Sequence, residues 1–182
     1  MATGAVRLPS SFGRTGCVCV AQSPKGIIMY PVHIRELAPV RVVAIRHVGP
    51  YEAAGSAFDQ LWAWAHAHGP IPAVLRVFSI YHDDPACVPA DRLRCDAAMY
   101  VGPDAESDGV VTVREIPGGR HAVLALKGPY SLVPQASRWL LETWLPQHGE
   151  RPARAPFDEY LNNPATVPPE ELRTDICLPL AG

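Results

Sequence analysis

YHDDPACVP at residues 81–89 returns as YLNNPATVP at residues 160–168, 79 positions further on. Five of the nine residues are identical, and two Asp become Asn. The offset holds in both directions. Gly49-Pro50-Tyr51 returns as Gly128-Pro129-Tyr130, Arg35-Glu36 as Arg114-Glu115, and Leu93-Arg94-x-Asp96 as Leu172-Arg173-x-Asp175. Pro31–Val101 aligns with Val110–Leu180 without a gap, with 18 identities in 71 positions. A fixed offset over this length is the signature of an internal repeat. It predicts a tandem duplication closed by a pseudo-two-fold axis.

The repeat sets the expected boundaries: unit one over 30–101, a linker over 102–109 and unit two over 110–180. Residues 1–28 have no counterpart and are expected to be a disordered extension, with the domain spanning 29–182. Within each unit the hydrophobic periods are legible. Val32–Leu37 and Val111–Ile116 alternate like strands. Pro117-Gly118-Gly119 reads as a tight turn into a second strand, Arg120–Leu126, whose mate is Arg41–His47. A helix follows each Gly-Pro-Tyr. Phe58, Leu61, Trp62 and Ala65 form one apolar face, and Val133, Ala136, Leu140 and Trp144 form the other. Gly69 and Gly149 are expected stops. Two more strands complete each unit, over Val74–His82 and Arg92–Val101, then Pro156–Leu161 and Leu172–Leu180. The fold class is therefore α+β: two main helices against a curved antiparallel sheet of about eight strands.

Composition narrows the function. Proline is unusually frequent, 20 in 182 residues, and excludes one long helical bundle. Six of these prolines are three pairs at the same offset. Lys and Arg (16) do not outnumber Asp and Glu (18), and there is no basic run of the kind a nucleic-acid binder displays. No helix-turn-helix fits before Tyr30, so no direct nucleic-acid contact is expected. No apolar stretch approaches the ~20 residues of a membrane span, and the N-terminus lacks the core of a signal peptide. A cytoplasmic protein without membrane contact is expected. The five cysteines, Cys17, Cys19, Cys87, Cys95 and Cys177, contain no CxxC pair and read as reduced thiols. No metal site or cofactor is expected. HExxH, GxSxG, GxxxxGK[ST] and GxGxxG are all absent, which removes support for metalloprotease, α/β-hydrolase, NTPase and Rossmann readings.

RVVAIRHVGPY (41–51), IPGGRHAVLALKGPY (116–130) and PFDEYLNNPATVPPEELRTDICLPL (156–180) together resemble the GyrI-like small-molecule-binding domain, the effector-binding domain of AraC- and MerR-type regulators. The resemblance covers about Tyr30–Leu180. It implies a duplicated β-α-β-β unit and a pocket between sheet and helices for hydrophobic, often cationic, aromatic compounds. It also implies an acid at the second position of a Phe-Glu-x-Tyr motif. Here the motif reads Phe157-Asp158-Glu159-Tyr160, so the acid is Asp158, one methylene shorter.

Asp158 and Tyr160, two apart on a strand, share a face. A carboxylate on an inner face among aromatics needs a partner, and a cation would serve. Read from the residues alone, the alternative is an exposed Asp at a strand edge with Tyr160 filling the core. Tyr81, the mate of Tyr160, either lines the pocket or fills the core. Trp62 and Trp144 lie on the apolar stripes and are expected in the core, with pocket lining as a secondary role. Trp139, off the stripe, is expected at the pocket wall or rim. The Arg94-x-Asp96 and Arg173-x-Asp175 pairs read as structural ion pairs across the dyad, and the Asp83-Asp84-Pro85 and Asn162-Asn163-Pro164 runs as turns.

The expected ligand residues are thus Asp158, Tyr160, Tyr81, Trp139 and Trp62, and the expected partner is a small hydrophobic cation or electrophile, sequestered or sensed. The alternative is a hydrolase of cyclopropane-type toxins using Asp158 with Tyr160. A third reading has a protein partner, a separate regulator or gyrase.

Overall fold

A computed structural model describes residues 29–68 and 76–182. The expected extension over residues 1–28 with Cys17 and Cys19, the expected stop at Gly69 and the start of the expected third strand lie outside the described residues. Eight strands form a single antiparallel sheet: β1 (Val32–Leu37), β2 (Val40–Val48), β3 (Arg76–Tyr81), β4 (Arg94–Tyr100), β5 (Thr112–Ile116), β6 (Gly119–Lys127), β7 (Phe157–Tyr160) and β8 (Arg173–Pro179). Helix α1 (Gly55–Ala67) follows β2. Helix α2 (Val133–Trp139) follows β6 and runs through a π-turn, Leu140–Trp144, into α3 (Leu145–His148). The wider turn precedes Pro146, whose ring would clash with the carbonyl one α-turn earlier. Each unit therefore runs β-β-α-β-β, a β-α-β-β core preceded by one strand.

The strand order is β1-β6-β8-β7-β3-β4-β2-β5. Exchanging the units strand for strand returns the same order. The registers obey the same rule: Leu37 pairs with Gly119 and Val40 with Ile116. At the centre, Ser79 pairs with Asp158, and these two are themselves repeat mates. The turn at Pro117-Gly118-Gly119 does join two strands, yet β5 and β6 are not neighbours. β6 pairs with β1 and β8, and β5 pairs with β2. The first strand of each unit thus lies along the second strand of the other.

Three cores hold this sheet. One lies under α2 and α3, with Leu124, Ala136, Leu140, Trp144 and Ile176. One lies under α1, with Val43, Ala57, Leu61, Ala65 and Met99. The third fills the inside of the curl on the opposite face, where Val42, Phe78, Ile116, Val123 and Phe157 converge from both units. The apolar face expected on α1 divides in two. Leu61 and Ala65, joined by Ala57, are buried against the sheet, whereas Phe58 and Trp62 are only half-buried.

The aspartates of the repeated Arg-x-Asp pairs differ in their partners. Asp96 is held within its own unit by Arg46 and by His82 at 2.8 Å, with Arg114 of the other unit at 3.5 Å, whereas Asp175 meets Arg35 of the other unit at 3.6 Å. Arg94 stays within its own unit and clasps Asp83 at 2.7 Å. Alternate residues on a strand share a face, but which arginine arrives there depends on the exchanged strands. The Asx-Pro turns behave alike in both units: Asp84 accepts from the Ala86 amide and Asn163 from the Ala165 amide. No helix among the described residues is long and apolar enough to cross a membrane.

A candidate ligand-binding cavity

A cavity of about 930 Å³ opens on the helical face of the sheet, over the central β3–β7 pair. That volume sits near the upper end of the ~300–1,000 Å³ typical of small-molecule sites. Val77, Ser79 and Tyr81 of β3 and Asp158 and Tyr160 of β7 reach it, while Phe78, Ile80 and Phe157 turn to the opposite face. Alternation along the two strands produces this division.

Asp158 is fully buried, on a strand flanked on both sides rather than at an edge. The Tyr81 hydroxyl donates to its Oδ2 at 2.6 Å. Across the seam, the Tyr160 and Ser79 hydroxyls share a bond of 2.8 Å. These are one hydrogen bond made twice, since Tyr160 is the mate of Tyr81 and Asp158 the mate of Ser79. The asymmetry is chemical: one half offers a hydroxyl and the other an acid. Asp158 Oδ1 has no hydrogen-bond partner among the described residues. Burial pushes the Asp158 carboxyl up to about 7, with the Tyr81 bond opposing the shift. Burial likewise raises the Tyr81 and Tyr160 phenols. The Cys95 thiol, also at the cavity, is pushed up to about 11 by burial, which leaves it protonated and a poor nucleophile at neutral pH.

Two further tyrosines complete the walls. Tyr51 packs on Tyr81 with ring centroids 4.9 Å apart, and Tyr130 packs edge-on against Tyr160 at 5.0 Å. Both come from the repeated Gly-Pro-Tyr, whose glycines, Gly49 and Gly128, share a φ of 135° that side chains disfavour. The turn thereby delivers each tyrosine over the sheet. Phe58 and Trp62 of α1 add an aromatic flank. Among the described residues, no Lys, Arg or His lines the cavity.

Of the residues singled out in the sequence, Asp158, Tyr160, Tyr81 and Trp62 lie together here. Trp139 does not. Its ring packs against Tyr30 at 5.3 Å, beside the core under α2. Leaving the apolar stripe carried it round the helix to the Tyr30 side, away from the cavity. Ser79, Tyr51, Tyr130 and Phe58 escaped the sequence reading. The offset of 79 marks the first three, since Ser79 aligns with Asp158 and Tyr51 with Tyr130. Among the described residues, no group of three or more His, Cys, Asp or Glu side chains is placed to hold a metal ion.

The family model described as "GyrI-like small molecule binding domain" matches residues 30–181. A DNA gyrase inhibitor of Escherichia fergusonii is 37% identical over 134 residues, 69% of this chain and 83% of the relative. The C-terminal domain of EcmrR superposes with a TM-score of 0.71 at 18% identity, over 85% of this chain and 99% of that one. SAV2435 bound to tetraphenylphosphonium superposes with a TM-score of 0.52 at 14% identity, over 84% of this chain and 94% of that one.

Proposed function

The chain belongs to the GyrI-like small-molecule-binding family, and we propose that its cavity takes up a lipophilic aromatic cation. The carrying observation is Asp158: a buried carboxylate among four tyrosines, with one oxygen unpartnered and no basic side chain lining the cavity among the described residues. An anion in such a place is costly without a partner. A delocalised cation supplies the charge, and the tyrosine, Phe58 and Trp62 rings supply cation–π faces. The tetraphenylphosphonium of the SAV2435 structure is a molecule of this class. Sequestration or sensing of such a compound is the role this chemistry fits.

The ligand selects the ionised acid, so affinity depends on pH in a definite direction. Tetraphenylphosphonium binding, followed by calorimetry, is expected to be strongest above pH 7. It falls about tenfold for each unit below that value, down to the acid's weak-binding limit. Asp158→Asn is expected to weaken binding at pH 8 by at least about tenfold and to flatten the pH profile. Unchanged affinity in this variant would remove Asp158 from the site. The tryptophans separate in the same assay. Trp62→Leu is expected to weaken binding about threefold to tenfold, whereas Trp139→Leu leaves it within twofold.

A carboxyl that titrates near neutrality, held by a tyrosine hydroxyl, also has the properties of a general acid–base. Hydrolysis of an electrophilic, cyclopropane-type toxin is the second reading. Incubation with such compounds tests it: a product one water heavier, lost in Asp158→Asn, marks an enzyme. The name of the relatives, DNA gyrase inhibitor, supports a third reading, a gyrase partner, which a supercoiling assay with purified gyrase examines directly.

A further inference from the structure

The two sides of the cavity are unequal. On α1, Gly55, Phe58, Asp59 and Trp62 fall at i, i+3, i+4 and i+7, and all four line the cavity. Glu52, in the turn before the helix, joins them. Their repeat mates in unit two are Pro134, Ser137, Arg138, Leu141 and Ser131. Both rim acids therefore lie on the unit-one side, beside an aromatic pair that unit two lacks. Glu52 and Asp59 are exposed, and neither forms an ion pair among the described residues. The independent sign of a cationic occupant is Asp158, buried in the same cavity with Oδ1 unpartnered among the described residues.

We propose that the cavity takes an elongated dication, one centre at Asp158 and the second at the α1 rim between Glu52 and Asp59, with Phe58 and Trp62 flanking the span. The inference rests on the cation reading above and adds the second charge and its place. Among the described residues, three acids and no basic side chain line this cavity of about 930 Å³. A single cation at the floor answers only one of the acids. An occupant with a second positive end answers the rim as well, and Trp62, one turn from Asp59, gives that end an aromatic face. Because the rim is exposed, its share of the affinity is modest and screened by salt.

The test uses two ligands of equal length: a bis-quinolinium on a polymethylene linker, and its partner in which the far ring is a neutral naphthalene. Calorimetry on the full chain at pH 8 and low salt is expected to give the bis-cation about a tenfold advantage. That ratio is expected to shrink toward one in Glu52→Gln/Asp59→Asn and in 0.3 M salt. Asp158→Asn weakens both ligands and leaves the ratio. A ratio near one in the wild type, or one that survives the double substitution, overturns the second subsite while leaving the Asp158 reading intact. Failure of both ligands to bind the wild type overturns both readings. Circular dichroism melts of each variant establish that the fold is retained.

Discussion

Asp158→Asn should make the ligand-free protein more stable at pH 8, by about 2–4 kcal/mol, while depriving it of its ligand. An ordinary aspartate carries a pKa of 3.8, and burial raises that of Asp158 to about 7. Between these values the folded chain keeps a proton that the unfolded chain has released. Stability then falls as pH rises through the window from about 4 to 7, and it levels off above 7. Asparagine keeps the shape, still accepts from the Tyr81 hydroxyl and carries no charge to desolvate. Urea unfolding of both proteins from pH 4 to pH 8 is the measurement. The two stabilities should start close and diverge as pH rises, with the variant ahead. Parallel curves would mean that the carboxyl is solvated and that no charge is held in reserve for a ligand.

Gly118→Ala is expected to be the more damaging glycine substitution, although its backbone is not in the left-handed region. A methyl there would stand 2.6 Å from the Leu37 carbonyl oxygen and 2.7 Å from the Pro39 nitrogen. Both contacts are backbone, so no side-chain rotation relieves them. Pro39 is the repeat mate of Gly118, and the two turns meet where each unit's first strand passes to the other unit. Overpacking at such a point costs about 2–4 kcal/mol, a fall in Tm of roughly 5–15 °C for a domain of this size. Gly149, with φ of 66° and open space around it, is the useful contrast. Alanine there should cost only about 1 kcal/mol. Melting curves for the two variants decide the order, and equal losses would remove the crossing turns as a point of tight packing.

Much of this architecture is legible in the residues because local signals recur. The helix after each Gly-Pro-Tyr, the stop at Gly149 and the strands around the Asx-Pro turns all lie within a few residues of where periodicity places them. Strand partners are another matter. The alternation in Val32–Leu37 is the same whether it lies along β2 or along β6, so the exchange of first strands leaves no local trace. The same limit governs the cavity. Asp158, Tyr160 and Tyr81 share a face by simple alternation once β3 and β7 are neighbours. Trp139 needed a helix orientation that an apolar stripe defines only coarsely. On α1 the stripe hid two faces, one sealed by Ala57, Leu61 and Ala65 and one left open by Phe58 and Trp62.

The exchanged strands also bear on how the chain is made. Val32 pairs with Leu124, so β1 finds its neighbour only after β6, in the second unit, has been made. Contacts so distant in the chain slow folding. The seam where the halves meet is also the floor of the cavity. An occupant bound there grips both halves at once, so its affinity adds directly to the persistence of the whole chain against unfolding.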